Sequence, residues 1–197
     1  MALAKVALPK VALDGKFVRL EPLEERHREP VRPAAQHPEI FTVTTSALGR
    51  LYDPYIDNAL KRSDGSHELA FAVLLRAANR YVGMTRYLNI EAAHKKLEIG
   101  STWYEPSVWG SPVNPECKLL LMRHAFETLK FHRVECKTDA RNARSRAAIL
   151  KLGATQEGIF HKHMIMADGH VRDSVYFSIV DTDWPAVKAG LEKRLAA

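Results

Sequence analysis

A change of hydrophobic period after residue 104 limits what this chain can fold into. Residues 69–76, 81–90 and 96–104 (KLEIGSTWY) are three strand-like runs with only short connections between them, and they read as an antiparallel meander. Beyond them the period lengthens. Residues 114–130 (NPECKLLLMRHAFETLK) carry apolar side chains at 117, 119–122, 125, 126 and 129, with Glu116, Arg123, Glu127 and Lys130 opposite. That spacing predicts an amphipathic helix, with Asn114 as N-cap, Pro115 in the first helical position and Glu116 complementing the dipole. Residues 133–139 (RVECKTD) return to strand. Residues 142–152 (NARSRAAILKL) form a second amphipathic helix, capped by Asn142 and ended by Gly153. Residues 156–166 and 171–180 close as a strand pair around the turn Ala167-Asp168-Gly169-His170. Ahead of the meander, residues 16–23 (KFVRLEPL) read as a first strand and residues 52–61 as a short helix. Residues 24–36 form a helical segment that Pro30 and Pro33 must break. The order β-α-α-β-β-β-α-β-α-β-β, followed by a C-terminal helix, is that of a mixed α/β sheet.

At 197 residues, with no internal repeat and no Gly/Ser linker, residues 14–197 read as a single domain. An apolar content of 46% excludes disorder, and no apolar run reaches the ~18–20 residues a membrane span needs. The net charge of +6 favours a polyanionic partner such as a phosphorylated small molecule. The basic residues are dispersed, so direct nucleic-acid binding is not expected. Cys117 and Cys136 have no CxxC spacing, which fits a reducing, cytoplasmic location. The start MALAKVALPKVAL is interrupted by Pro9 and Lys10 before it reaches signal-peptide length, so residues 1–13 are expected to form a frayed N-terminal extension. Pattern alone leaves a homodimer open.

Two segments carry the chemistry. In the first, a strand ending at Tyr104 runs through a loop containing Trp109, Gly110, Ser111 and Pro112 into the helix that Asn114 is expected to cap. Amides at such a helix start, with its positive dipole end, suit a pyrophosphate; a loop that merely turns the chain would look much the same. The second is Asn142-Ala143-Arg144-Ser145-Arg146-Ala147-Ala148-Ile149-Leu150-Lys151-Leu152-Gly153-Ala154. It resembles the Asn-x-x-Ser-x-x-small-x-x-Lys-x-Gly signature of GNAT-superfamily N-acetyltransferases. LEIGSTWYEPSVWG, PVNPECKLLLMRHAFETL and HVRDSVYFSIVDTDW resemble further elements of the branch that contains ribosomal-protein N-terminal acetyltransferases, and the likeness runs from about Asp14 to Trp184.

The resemblance implies a twisted mixed sheet of six to seven strands flanked by helices, in which the fourth strand (residues 96–104) and fifth strand (133–139) diverge to admit acetyl-CoA. It implies that backbone groups of Thr102, Trp103 and Tyr104 hold the pantetheine arm and polarise the thioester carbonyl. Trp109, Gly110, Ser111, Val113 and Asn114 would form the phosphate loop, with Lys151 as a further cofactor contact. Asn142 would bond the pantetheine amide, and Ser145 would protonate the leaving thiolate. One departure is plain: the family loop Arg/Gln-x-x-Gly-x-Gly/Ala reads here Ser107-Val108-Trp109-Gly110-Ser111-Pro112, and Pro112 has no N–H to offer. Amides of Ser111, Val113 and Asn114 are left to point inward.

Glu98 is the candidate general base. By strand alternation Glu98, Gly100, Thr102 and Tyr104 share one face, which brings the carboxylate to the cleft; an ordinary ion pair with Arg86 or Lys96 is the competing role. Glu157 is a second, weaker candidate, and a plain helix-surface hydroxyl is the competing role for Ser145. His161 and His163 share one strand face with His170 across the turn, but no further ligand completes a set, so no metal is expected. The expected reaction is acetyl transfer from acetyl-CoA to a primary amine by direct attack in a ternary complex, the branch pointing to a protein N-terminal α-amine. A small amine, amino acid or antibiotic is the alternative acceptor. A non-catalytic acyl-CoA-binding or nucleic-acid-associated module is the alternative class.

Overall fold

The computed structural model describes residues 7–41, 51–166 and 168–196. Residues 1–6 of the expected extension and Ala167 of the expected turn lie outside them. The elements are β1 (Leu13–Asp14), β2 (Val18–Pro22), α1 (Arg28–Val31), α2 (Tyr52–Arg62), β3 (Leu69–Leu75), β4 (Arg80–Glu91), β5 (Lys96–Tyr104), α3 (Val113–Arg123), β6 (Arg133–Asp139), α4 (Ala143–Leu150), β7 (Thr155–Ile165), β8 (Val171–Val180) and α5 (Trp184–Ala196).

Among the described residues the strands form one mixed sheet of eight in the order β1-β2-β3-β4-β5-β6-β8-β7. Every pairing is antiparallel except β5 with β6. The eighth strand is the two-residue edge β1, too short to leave a periodic signal, so the expected fourth and fifth strands are β5 and β6. Pro30 and Pro33 break the segment after β2 as expected: α1 is a single turn flanked by the 3-10 turns Glu25–His27 and Arg32–Ala35.

Two cores lie on opposite faces of the sheet. One packs β-strand residues such as Phe71, Tyr87 and Phe177 against Leu121 of α3, Ile149 of α4 and Leu191 of α5. The other packs Ala70, Met84 and Trp103 against Val31 of α1 and Ile56 of α2. Residues 7–13 do not fray: Leu8 is buried, and its amide donates to Gly65 O at 2.8 Å. Gly65 is at φ +77°, and a Cβ there would lie 2.5 Å from Leu8 O, so this docking requires glycine.

The helix after β5 differs from expectation at both ends. It opens at Val113 with Pro112 as N-cap, because Pro112 is already helical at φ −63°, ψ −12°. Asn114 therefore lies inside the first turn, and Ser111 Oγ accepts the Val113 amide at 3.3 Å instead. The C-terminal end widens into a π turn over His124–Thr128, which places Phe126 in a stack with Trp184, 5.3 Å between ring centroids. Glu116, expected on the solvent face, is buried. Its carboxylate accepts the amides of Lys16, Phe17 and Val18, each at 2.7 Å.

Candidate active site

β5 and β6 pair over only three positions, Lys96 with Arg133, Leu97 with Val134 and Glu98 with Glu135, and then part. Beyond Glu98 the β6-facing edge of β5 is free of strand pairing, and the gap opens into a cleft of about 450 Å³. Its lining includes Glu98, Thr102, Trp109, Gly110, Asn142 and Ser145, bringing together residues singled out from separate segments of the sequence.

The local cause is a bulge. Ser101 sits at φ +45°, and the β4–β5 register shifts between the pairs Arg86–Gly100 and Met84–Trp103. The inserted residue reverses the alternation. Leu97 and Ile99 face the α3 side before the bulge, whereas Tyr104 faces it afterwards and Trp103 faces α2. The expected common face for Glu98, Gly100, Thr102 and Tyr104 therefore breaks at Ser101. Thr102 turns towards α3, where its Oγ1 lies 2.7 Å from Thr85 Oγ1 and accepts from Lys118 Nζ at 3.1 Å. Lys118 is buried, and burial draws its pKa down.

Glu98 is buried on the opposite side of β5. Its Oε2 accepts from Lys137 Nζ at 2.7 Å and from Asn89 Nδ2 at 2.9 Å. Neither expected partner is used: Arg86 pairs with Glu68, and Lys96 with Glu91. Both bonds go to one oxygen, and Oε1 points at Gly100, where an added Cβ would lie 2.8 Å from it. Glu157 is held by the Arg133 fork and by Ser178 Oγ at 2.7 Å. The bond to Arg133 first, with help from Ser178, draws its carboxyl down to about 2, which makes it a poor base.

The loop between β5 and α3 is anchored away from the cleft. Arg80 grips Glu105 with both guanidinium ends, at 2.6 and 2.5 Å, and Ser107 Oγ donates to Glu105. Trp109 Nε1 donates to Tyr104 O at 2.9 Å, and Arg144 stacks on the Trp109 ring at 3.8 Å. Two of the amides expected to point inward are used within the loop, Ser111 N on Val108 O and Val113 N on Ser111 Oγ. Neither Ser111 nor Val113 lines the cleft, and Val113 belongs to the core. Among the described residues no backbone bond closes on the amides of Gly110 and Asn114. Gly110, at φ +77°, has open space around its Cα.

Asn142 caps α4 as expected, its Oδ1 accepting the Ser145 amide at 2.9 Å, which leaves its Nδ2 to donate. Ser145, half-buried one turn on, lines the cleft. Lys151 does not. It stands at the far end of α4, in a separate groove against α5. The two free amides, the Arg144 cation and the unpaired edge of β5 suit a ligand with an anionic head and an extended, amide-bearing arm.

His161 and His163 are separated by Lys162 at φ +51°, and they reach successive residues of β8: His161 touches Asp173 at 3.1 Å and His163 touches Ser174 at 2.9 Å. The expected shared face is thus broken by a second bulge. Pattern reading also passed over Lys118, Lys137 and Arg172 in the cleft wall. The alternation Arg172, Ser174, Tyr176, Ser178 opposite Val175, Phe177 and Ile179 was the available signal for the last of them.

A family model described as "Acetyltransferase (GNAT) domain" matches residues 18–155. The chain is 28% identical over 106 residues to the "Putative ribosomal N-acetyltransferase YdaF" of Bacillus subtilis (strain 168). That match covers 54% of this chain and 57% of the relative, so it spans little more than half of that protein's length. Among solved structures, a GCN5-related N-acetyltransferase from Brucella melitensis superposes with a TM-score of 0.89 at 30% identity, covering 96% of this chain and 87% of that one. Mycobacterium smegmatis RimJ, solved in complex with CoA-disulfide, shares the fold with a TM-score of 0.76 at 19% identity, covering 90% of this chain and 88% of that one.

Proposed function

This chain belongs to the GNAT acetyltransferase family, and from that premise we propose that it transfers acetyl from acetyl-CoA to a protein N-terminal α-amine. The observation that carries the reading is the parting of β5 from β6 after Glu98, with Glu98 and Ser145 both lining the cleft that results. When bound, acetyl-CoA supplies an activated acetyl group: a C–N bond forms to the amine as the C–S bond breaks, and CoA leaves as the thiol.

The residues of this chain prepare and complete that exchange. Oε1 of Glu98, left open while Lys137 and Asn89 hold Oε2, takes the proton from the incoming ammonium group, directly or through one water. Backbone groups on the β6-facing edge of β5 beyond Glu98, as at Thr102, orient and polarise the acyl carbonyl, whereas Tyr104 O already accepts from Trp109. Ser145 hands its hydroxyl proton to the departing sulfur and recovers one from solvent. The amides of Gly110 and Asn114, with Arg144 stacked on Trp109, hold the phosphates. Nδ2 of Asn142 donates to an amide of the arm. An α-amine, with a pKa near 7.7–8.0, demands less of a carboxylate base than a lysine at about 10.4. The name carried by the Bacillus subtilis relative supports a ribosomal-protein acceptor.

The test combines calorimetric titration with acetyl-CoA and CoA with thiol-release assays on free N-terminal peptides, lysine peptides and small amines. Binding of both CoA species with turnover confined to peptide α-amines is the expected result. Turnover only on small amines moves the acceptor, and absence of CoA binding overturns the reading.

A further inference from the structure

Arg172 is a buried cation whose hydrogen-bonding capacity is unused. It is 7% exposed and lines the cleft, yet none of its guanidinium donors makes a hydrogen bond or ion pair among the described residues, and its Nε is shut off from water. Both neighbouring carboxylates are already engaged. Asp139 is held by Arg141 at 3.0 Å and by the Arg141 amide at 2.8 Å, and Glu98 by Lys137 and Asn89. Burial outweighs the pull of Asp139 and Glu98 and draws the guanidinium pKa down from its ordinary value, but an arginine stays charged in water-excluded sites. A mostly buried guanidinium with an unpartnered Nε and no anion on it is costly to keep, a cost that an anion arriving in the cleft would offset.

The register says where that anion would sit. Glu98 pairs with Glu135 and Glu135 with Ser178; Lys137 pairs with Tyr176 and Asp139 with Ser174. Cross-strand partners share a face, so Glu98, Lys137, Tyr176 and Arg172 line the same side of the sheet, in rows that climb from the proposed base towards the end of β6 where the cleft opens. Lys137 Nζ stands 5.7 Å from the Tyr176 ring, and His163 Nε2 3.4 Å from Tyr176 Oη. The phosphate-suited amides of Gly110 and Asn114 belong to the loop after β5 and the first turn of α3, so the face carrying Arg172 is left for the acceptor.

We infer that the amine acceptor carries a carboxylate close to its reacting nitrogen, and that Arg172 is the specificity-determining residue that receives it by a two-pronged bond. A planar carboxylate matches the guanidinium fork, and Lys137 adds positive potential beside it. The inference rests on the acetyltransferase reading only for the identity of the reaction. The recognition of a carboxylate stands on Arg172 itself. An acidic side chain near a peptide N-terminus and the α-carboxylate of a free amino acid present the same group.

Matched acceptors that differ by one carboxylate separate these cases. Hexapeptides with Asp or Asn at the second or third position, and free L-alanine or its α-amide L-alaninamide, are titrated calorimetrically into the CoA-bound protein and assayed for acetyl transfer. The acidic member of at least one pair is expected to bind about tenfold or more tightly, a difference of ~1.4 kcal/mol. Arg172→Gln is expected to erase that preference and Arg172→Lys to restore part of it, while CoA affinity, which reports folding, stays as in the wild type. The pair that shows the preference identifies the source of the carboxylate. Equal binding within every pair, no binding of any member at millimolar concentration, or an equal loss for acid and amide in Arg172→Gln overturns the inference. A carboxylate preference in binding without acetyl transfer keeps the inference and removes the acetyltransferase reading, whereas transfer to acid and amide alike does the reverse.

Discussion

Glu116 of α3 holds the start of β2: its Oε2 accepts the Val18 amide at 2.7 Å across 98 positions of sequence. The same oxygen accepts the Phe17 amide, and Oε1 accepts that of Lys16. The side chain therefore fixes the turn that opens β2 onto the helix that follows the loop after β5. Gly15 closes the contact, since a Cβ there would lie 2.5 Å from the Glu116 carboxyl carbon.

Removing this acceptor leaves three backbone donors short of a partner. Glu116→Ala is expected to cost about 3 kcal/mol or more, and Glu116→Gln about 2 kcal/mol, because the amide keeps one oxygen but turns a donor towards another. Urea unfolding with an unchanged m-value is the measurement. A loss below about 0.5 kcal/mol for Glu116→Ala contradicts the assignment.

Gly100 gives the open oxygen of Glu98 its room. In Gly100→Ala the new methyl meets Glu98 Oε1 and Leu88 Cδ1, each at 2.8 Å, both at the ends of side chains that can move. Stability is expected to fall by no more than about 1 kcal/mol while acetyl transfer falls about tenfold in kcat, through a displaced Glu98 carboxylate. An equal effect on CoA affinity would place the damage elsewhere in the cleft.

The limits of pattern reading are visible in these same residues. Element types followed from period: the meander, α4 with its Asn142 cap and the closing hairpin lie where the alternation and helical spacing put them. Faces did not follow as well. A single inserted residue reverses every side chain beyond it, and Ser101 at φ +45° carries no glycine or asparagine to announce the bulge. Lys162 does the same to the histidines. Glu116 falls on the polar stripe by spacing, yet its partners are amides in a turn about a hundred residues earlier, which no local pattern encodes. The tie between Lys137 and Glu98 depends on the β5–β6 register, a tertiary fact.

Trp109 and Lys151 make opposite predictions for the cofactor. Trp109 lines the cleft and carries Arg144 on its ring, so Trp109→Ala is expected to weaken CoA binding about tenfold through loss of the stacked cation and the loop anchor. Lys151 faces a separate groove, and Lys151→Ala is expected to leave the CoA dissociation constant within about twofold of the wild type. Calorimetry on both variants decides. A large effect at Lys151 alone would mean that the phosphates lie nearer α5.

Both cysteines are buried, and burial pushes the Cys117 thiol up to about 12 and the Cys136 thiol up to about 11. At pH 8 their thiolate fractions are then on the order of one in a thousand or less. Ellman's reagent is expected to find no reactive thiol in the native protein within minutes, and two after unfolding in guanidinium, matching the two cysteines of the sequence. Rapid labelling of one native thiol would show that the cleft wall at Cys136 opens in solution.

Glu157 sets one part of the acid limb of stability. The bond to Arg133 holds its carboxyl down to about 2, against 4.5 for a free glutamate, so between those values the unfolded chain binds the extra proton. Its stabilising contribution is fully present above pH 4.5 and is lost as pH falls towards 2. The side chain is 39% exposed, so screening by water limits that contribution to about 1 kcal/mol or less. Glu157→Gln removes the titration: the variant is expected to be slightly less stable than the wild type at pH 6, and the gap should close as pH drops from 4.5 to 2.5. Urea midpoints measured across that window test the sign directly. A gap that widens towards low pH would mean that the pairing with Arg133 does not favour the charged carboxylate.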